Sequence, residues 1–177
     1  MLLTLLEKRR SIRSFQDRPV ETDKIDALIE AALRSPSSRA FYPWEFIVVT
    51  DSDLLNKLSR AKPHGAAFLK NAPLAFVICA DPKKSDVWVE DASIATTLVH
   101  VAATSLELGS CWIQMRKRPH DDTITASAYI VEVLRLPKHM EVLAVVAIGY
   151  PAEEKPLHKK EDLLYDKVHH NYYGSGS

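Results

Sequence analysis

Apolar positions change their spacing repeatedly along this chain, and each change marks an element. Leu2, Leu3, Leu5 and Leu6 precede a charged run and predict a short first helix over residues 2–10, with those leucines turned inward. Ile25, Leu28, Ile29, Ala32 and Leu33 follow the i, i+3, i+4, i+7, i+8 spacing of one buried helical stripe. Thr22 is placed to cap that helix, and Asp23 and Asp26 suit the positive end of its dipole. Pro36 ends it, because it lacks a donor and restrains Ser35. The β-branched run EFIVVT (45–50) predicts a buried strand. A surface helix over 51–60 and a second buried strand, PLAFVICAD (73–81), follow.

Residues 86–108 carry the longest helical pattern. Ile94, Ala95, Leu98, Val99, Val101, Ala102 and Leu106 leave it little polar face, so it is expected to be buried on most sides, with Gly109 as its left-handed terminator. SCWIQM (110–115) is a third strand, 125–136 a helix stopped by Pro137, and EVLAVVAIGYP (141–151) a fourth strand closed by Gly149 and Pro151. The order is α-α-β-α-β-α-β-α-β. Residues 152–173 are charged and aromatic without a core stripe, the pattern of an arm that packs on another surface. Nothing reads as a repeat or linker, so residues 1–173 are expected to form one domain and GSGS (174–177) a flexible tail. A doubly wound sheet would fit some of the alternation. However, GxGxxG and GxxxxGK[ST] are both missing, and the chain has only five glycines, which disfavours a dinucleotide fold of that type and excludes a phosphate-loop NTPase.

Composition narrows the possible functions. Of the 177 residues 46% are hydrophobic, enough for a substantial core. Lys plus Arg and Asp plus Glu stand at 23 each, whereas a general binder of nucleic acid or anionic membrane leans basic, so neither partner is expected. Cys79 and Cys111 lie inside apolar runs without metal-finger spacing. Two buried thiols in a reducing compartment is the first reading, with a disulfide or a catalytic thiol as alternatives. The amino terminus places its apolar residues before its charges, the reverse of a secretory signal, and no apolar stretch reaches 18 residues. A cytoplasmic protein is expected.

Against this neutral background stands KRRSIRSF (8–15), with Lys8, Arg9, Arg10 and Arg13 beside the hydroxyls of Ser11 and Ser14. Guanidinium forks match the oxygens of a phosphoryl group. A solvated charge run at a helix C-terminus is equally compatible with the spacing. Trp44 and Trp112 read as core packing, Trp88 as an interface residue, and His100 as a hydrogen-bonded core histidine.

Five segments then occur in order: RRSIRSF (9–15), SPSSRAFYPWEFIVV (35–49), NAPLAFVICAD (71–81), DASIATTLVHVAATSLELGSCWI (91–113) and AVVAIGYPAEEKP (144–156). Together they resemble the nitroreductase family of FMN-dependent oxidoreductases, in particular its short members, over nearly the whole chain. The resemblance implies an α+β fold, a central mainly antiparallel sheet flanked by helices, in an intertwined homodimer with FMN at the interface. It implies that Arg9, Arg10, Ser11 and Arg13 bind the flavin's phosphate, ribityl chain and pyrimidine edge. Pro36, Ser37 and Ser38 would approach from the partner chain, and the backbone of Gln114, Met115, Arg116 and Lys117 would pass beside the central ring. Lys159 or Lys160 would complete the phosphate site.

The sequence departs from the family where the common pattern places two amides after Pro-Ser-Ser. Here Ala40 and Tyr42 stand instead, and Phe41 or Tyr42 narrows the substrate pocket. His64 is either a polar flavin contact or a surface residue, and RKRPH (116–120) is either an attractor of the NADPH phosphate or a solvated loop. No catalytic side chain and no metal set is legible, as suits a flavin whose N5 carries the chemistry. The function implied is ping-pong transfer from NAD(P)H to a small-molecule acceptor of nitroaromatic or quinone type. The alternatives are a dehalogenating relative, a flavin-binding sensor or carrier with little catalysis, and an anion-binding module without flavin.

Overall fold

The four apolar runs pair into one sheet in the computed structural model, which describes residues 1–175; residues 176 and 177 of the expected tail lie outside the described residues. The strands are β1 (Trp44–Val49), β2 (Leu74–Ala80), β3 (Gly109–Gln114) and β4 (Glu141–Gly149). They lie in the order β1-β2-β4-β3, with every neighbouring pair antiparallel. The helices are α1 (Leu2–Lys8), α2 (Thr22–Leu33), α3 (Ser52–Leu58), α4 (Trp88–Ser105) and α5 (Ala126–Val133). This is the expected α+β class and element order.

Helices cover both faces of the sheet, which explains why β2 and β4 read as continuous apolar runs instead of alternating ones. Leu74, Phe76 and Ile78 of β2 pack with α2 and α4, while Ala75, Val77 and Cys79 join the opposite layer with α3 and α5. Edge position separates β1 from them: Glu45 is exposed and Phe46 to Val48 are half-buried, so the buried strand expected over 45–50 is a partly open edge.

Several local expectations are corrected. Leu2, Leu3 and Leu6 are exposed and Leu5 half-buried, because α1 packs chiefly on α4 and buries no residue of its own. Leu33 and Ile94 are likewise exposed on the outer faces of α2 and α4. The cap of α2 is Glu21, whose carboxylate is engaged by Tyr150 and Arg18, and Thr22 is the first helical residue. Glu107, not Gly109, is the left-handed residue after α4 (φ 61°), and Leu108 N–H closes the turn on Ala103 O. Arg135 (φ 54°) does the same after α5, with Leu136 N–H on Val131 O, so the helix stops before Pro137 acts. Trp88 opens α4 and is buried in the core with Trp44, while Trp112 is half-buried.

Beyond Gly149 the chain is exposed through to residue 174 except at a few half-buried positions. Leu163, Leu164, Tyr165, Val168, Tyr172 and Tyr173 present apolar surface there. No helix among the described residues is long and apolar enough to cross a membrane.

Candidate functional site

The basic segment leaves α1 at Arg9, where the backbone turns extended, and runs alongside β3. Ser11 forms a parallel bridge with Ser110, and Ile12 N–H donates to Ser110 O at 3.0 Å. Phe15 bridges Pro151, and Gln16 N–H donates to Tyr150 O at 2.9 Å. Extended residues alternate sides. Ile12 enters the core, and the half-buried Arg10 guanidinium donates to the Pro156 carbonyl. Ser11 and Arg13 act at Cys111, and the charge of Arg9 acts at His100. Two glycines allow this approach. A Cβ at Gly109 would fall 2.9 Å from three Ile12 carbons, and one at Gly149 would fall 2.6 Å from Pro73 and 3.1 Å from Phe15.

Lys62 and Arg118 lie on two other loops, with the Arg118 charge acting at Lys62 and the Lys62 charge acting at Cys111. Burial, and then the charge of Arg118, lower the Lys62 ammonium below its usual value. Burial raises the Cys111 thiol, against the opposing effects of Arg13, Ser11 and Lys62. Among the described residues no carboxylate forms an ion pair with Arg9, Arg13, Lys62 or Arg118. Glu153 lies close but is committed elsewhere. It accepts from Arg13 N–H at 2.6 Å and Ser14 N–H at 3.2 Å and pairs with Lys155 at 2.6 Å. The Lys155 contact and then the Arg13 N–H hold its carboxyl down to about 2. Ala152 N–H to Ser14 O (2.9 Å) and His158 N–H to Glu7 O (3.0 Å) tie the start of the arm to the same segment. Lys159 and Lys160 follow, both exposed.

A second group forms near the N-terminal end of α4. Asp91, only 3% exposed, accepts from the Ser37 hydroxyl at 3.0 Å, from Ser38 N–H at 2.9 Å and from the Ser85 hydroxyl at 3.5 Å. Ser37 Oγ in turn accepts Tyr42 N–H at 3.0 Å. Pro36 is exposed beside them. Arg39, Ala40 and Tyr42 are left-handed (φ 53°, 53° and 45°), an uncommon density for residues other than glycine. Arg39 pairs with Asp86 and lies 4.6 Å from the Phe41 ring, and Phe41 and Tyr42 are exposed. Tyr42 meets Trp44 edge-on at 5.5 Å.

The turn after β3 is held to β4, where Met115 N–H and Arg116 N–H both donate to Leu143 O, at 3.1 and 3.0 Å. The Met115 side chain is fully buried. Gln114 accepts the Trp112 indole N–H at 2.8 Å and donates to Arg116 O at 3.1 Å. The Arg116 guanidinium sits 5.5 Å from the Trp88 ring, and Lys117 is left-handed and exposed. His64 is a surface residue.

Arg9, Ser11 and Arg13 are thus brought together, whereas Pro36, Ser37 and Ser38 are held elsewhere. Asp91 and His100 mark the two groups on α4, and nine residues at about 1.5 Å each separate them by about 14 Å. Sequence reading missed Lys62, Arg118 as a partner of Lys62, Glu153 and Asp91. Only Asp91 carried a signal, as a carboxylate in a helix with almost no polar face. Cys79 and Cys111 are buried free thiols, as read first, and burial pushes Cys79 up to about 12. Among the described residues no cluster of three or more His, Cys, Asp or Glu side chains could hold a metal ion.

An FMN-dependent nitroreductase from Clostridium difficile R20291 superposes with a TM-score of 0.95 at 49% identity, covering 97% of this chain and 99% of that one. A protein of Archaeoglobus fulgidus, provisionally named NADH dehydrogenase/NAD(P)H nitroreductase, is 38% identical over 172 residues, 94% of this chain and 95% of its own. An FMN reductase [NAD(P)H] of Bacillus subtilis is 30% identical over 187 residues, 93% of this chain and 71% of its own. The model of the Nitroreductase family matches residues 6–62 and 59–150. The chain belongs to the Nitroreductase family.

Proposed function

We propose that this chain is an FMN-dependent NAD(P)H oxidoreductase that passes electrons to nitroaromatic or quinone-like acceptors, donor and acceptor using one pocket in turn. The observation that carries the reading is the extended segment beside β3 on which Arg9 and Arg13, neither paired with a carboxylate among the described residues, flank Ser11, with the Lys62 charge also felt at Cys111. A donor set of this kind fits a phosphorylated, anionic cofactor. FMN, when bound, supplies hydride acceptance and the release of electrons singly or in pairs, which no side chain here offers. Arg9 and Ser11 would hold its phosphate and ribityl chain, and Arg13 with Lys62 its pyrimidine edge. Arg10 supports them through the arm. Pro36, Ser37, Ser38, Gln114, Met115 and Arg116 would frame the ring, Lys159 would assist at the phosphate, and Phe41 and Tyr42 would line the substrate pocket.

Residues 1–173 would form one FMN-binding domain, working as a homodimer in the cytoplasm. Two features support the dimer. Leu2, Leu3 and Leu6 of α1 and the leucines and tyrosines of the arm leave apolar surface uncovered in one chain. The groups around Ser11 and Ser37 are anchored at positions about 14 Å apart along α4, which is compatible with the Ser37 loop serving the site of a second copy.

The visible spectrum of the purified protein tests the cofactor, and anaerobic NAD(P)H followed by menadione or nitrofurazone tests the turnover. Bleaching of flavin bands by NAD(P)H and their return with acceptor are expected. Protein without flavin bands, after incubation with FMN, refutes the reading. Stable flavin bands without turnover would favour the carrier function instead.

A further inference from the structure

His100 has no role in the function proposed so far, and its position is costly. It lies in an otherwise apolar stretch of α4 and is 7% exposed, where a leucine would pack without polar atoms to satisfy. Its Nδ1 lies 2.7 Å from Ser110 Oγ, and its ring stacks on Trp112 with centroids 6.3 Å apart and planes 12° from parallel. Ser110 is the bridge partner of Ser11, so the imidazole is tied to the strand residue that pairs with the basic segment. Nε2 has no hydrogen-bond partner among the described residues. The fully buried unpaired side-chain atom among them is Trp44 Nε1, so His100 Nε2 remains reachable from solvent.

We propose that His100 is part of the anion grip: its Nε2–H donates to a phosphoryl oxygen of the mononucleotide whose phosphate Arg9 and Ser11 bind. The proposal rests on the FMN reading above. This role requires the Ser110 hydroxyl to donate at the Nδ1 contact, which it can do, leaving the imidazole hydrogen on Nε2. Burial, and then the positive charge of Arg9, bring the imidazole down to about 4, so it is a neutral donor and adds no second cation beside Arg9. A neutral donor adds nothing to the repulsion among the unpaired cations and still offers one directed bond to the ligand.

Three substitutions separate this role from packing. His100→Gln keeps a donor at the reach of Nε2. His100→Asn keeps only the shorter reach toward Ser110, and His100→Leu keeps neither. Each variant is stripped of flavin and titrated with FMN and with riboflavin, which lacks the phosphate, using quenching of flavin fluorescence. His100→Leu and His100→Asn are expected to weaken FMN by about tenfold or more, the scale of one hydrogen bond to a charged group. His100→Gln is expected to stay within about threefold of the parent, and riboflavin affinity to change by less than about twofold. An unchanged FMN affinity in folded His100→Leu, or equal losses for FMN and riboflavin, overturns the proposal while leaving the cofactor reading intact. A parent protein that binds neither flavin sinks both.

Discussion

The Asp91 carboxylate accepts the backbone N–H of Ser38 at 2.9 Å from inside the helix layer. The same side chain takes the Ser37 hydroxyl, so one buried charge fixes the base of a loop whose next residues include three left-handed positions. Without that anchor, Arg39, Ala40 and Tyr42 are held mainly by exposed contacts such as the Arg39–Asp86 pair. Asp91→Ala is expected to cost about 3 kcal/mol, because the donors of Ser37, Ser38 and Ser85 all lose their buried acceptor. Asp91→Asn keeps an acceptor for Ser38 and is expected to cost about 1 kcal/mol. Urea unfolding checks the stabilities. In Asp91→Ala the acceptor-dependent turnover is expected to fall further than FMN binding, since Arg9 and Arg13 are untouched.

A second clasp closes the far end of the same helix. Lys24 Nζ donates to Leu106 O and to the Tyr150 hydroxyl, each at 2.9 Å, and that hydroxyl donates to Glu21 at 2.6 Å. The ammonium therefore neutralises the negative end of α4 while joining α2 to the residue after β4. Lys24→Met, which keeps the stem and removes the donor, is expected to cost about 1 kcal/mol. Tyr150→Phe is expected to lower the denaturation midpoint with FMN affinity unchanged. Thermal unfolding with and without saturating FMN reads both.

The element order was legible because the apolar runs change period where the chain changes structure. Phe76 and Ile78 read as part of a buried strand from the short continuous apolar run around them. Leu2, Leu3, Leu6 and Ile94 misled for a physical reason: an apolar stripe says that a surface wants to be covered, and not that the same chain covers it. Gly109 misled differently. Its lack of a side chain serves the close approach of Ile12, a contact more than ninety residues distant in sequence, while Glu107 adopts the left-handed turn. The site was half legible. Arg9, Ser11 and Arg13 share one extended segment, but their spacing alone also suited a solvated charge run, and only the family resemblance pointed them at a flavin. Lys62, whose charge is felt at Cys111, and Arg118, whose charge is felt at Lys62, come from separate loops, and nothing local distinguishes them from other surface cations.

His100 gives the stability a pH dependence with a definite sign. Burial and Arg9 lower its folded value to about 4, against 6.5 in the unfolded chain. Between those values the unfolded chain binds more protons, so stability rises with pH through that window and is lost as pH falls from about 6.5 toward 4. The full span corresponds to about 3 kcal/mol. Glu21, Asp121 and Glu153 are held near 2 by their hydrogen bonds, so their contribution is lost at lower pH, below about 4.5. Urea midpoints of the flavin-free protein between pH 4.5 and 7 are expected to climb, and to do so much less in His100→Gln. Parallel slopes in the two proteins would contradict the assignment.

The contact between Gly109 and Ile12 offers a test of how the basic segment is seated. A methyl group at 109 meets Ile12 Cβ, Cγ1 and Cγ2 at 2.9 Å, closer than carbon atoms tolerate. Gly109→Ala must therefore lift residues 11–13 from β3, stretching the Ile12 N–H bond to Ser110 O. The expected cost is about 2 kcal/mol, typical of overpacking, with weaker FMN binding because Ser11 and Arg13 move with the backbone. Ile12→Ala alone leaves a cavity and costs about 3 kcal/mol. In the double variant the added methyl occupies part of the space the isoleucine vacates, so the losses are expected to fall short of their sum by at least about 1 kcal/mol. Additive losses in urea unfolding would mean that the segment is not seated through this contact. FMN affinity recovered in the double variant relative to Gly109→Ala would tie the seating of Ile12 to the grip of Arg13.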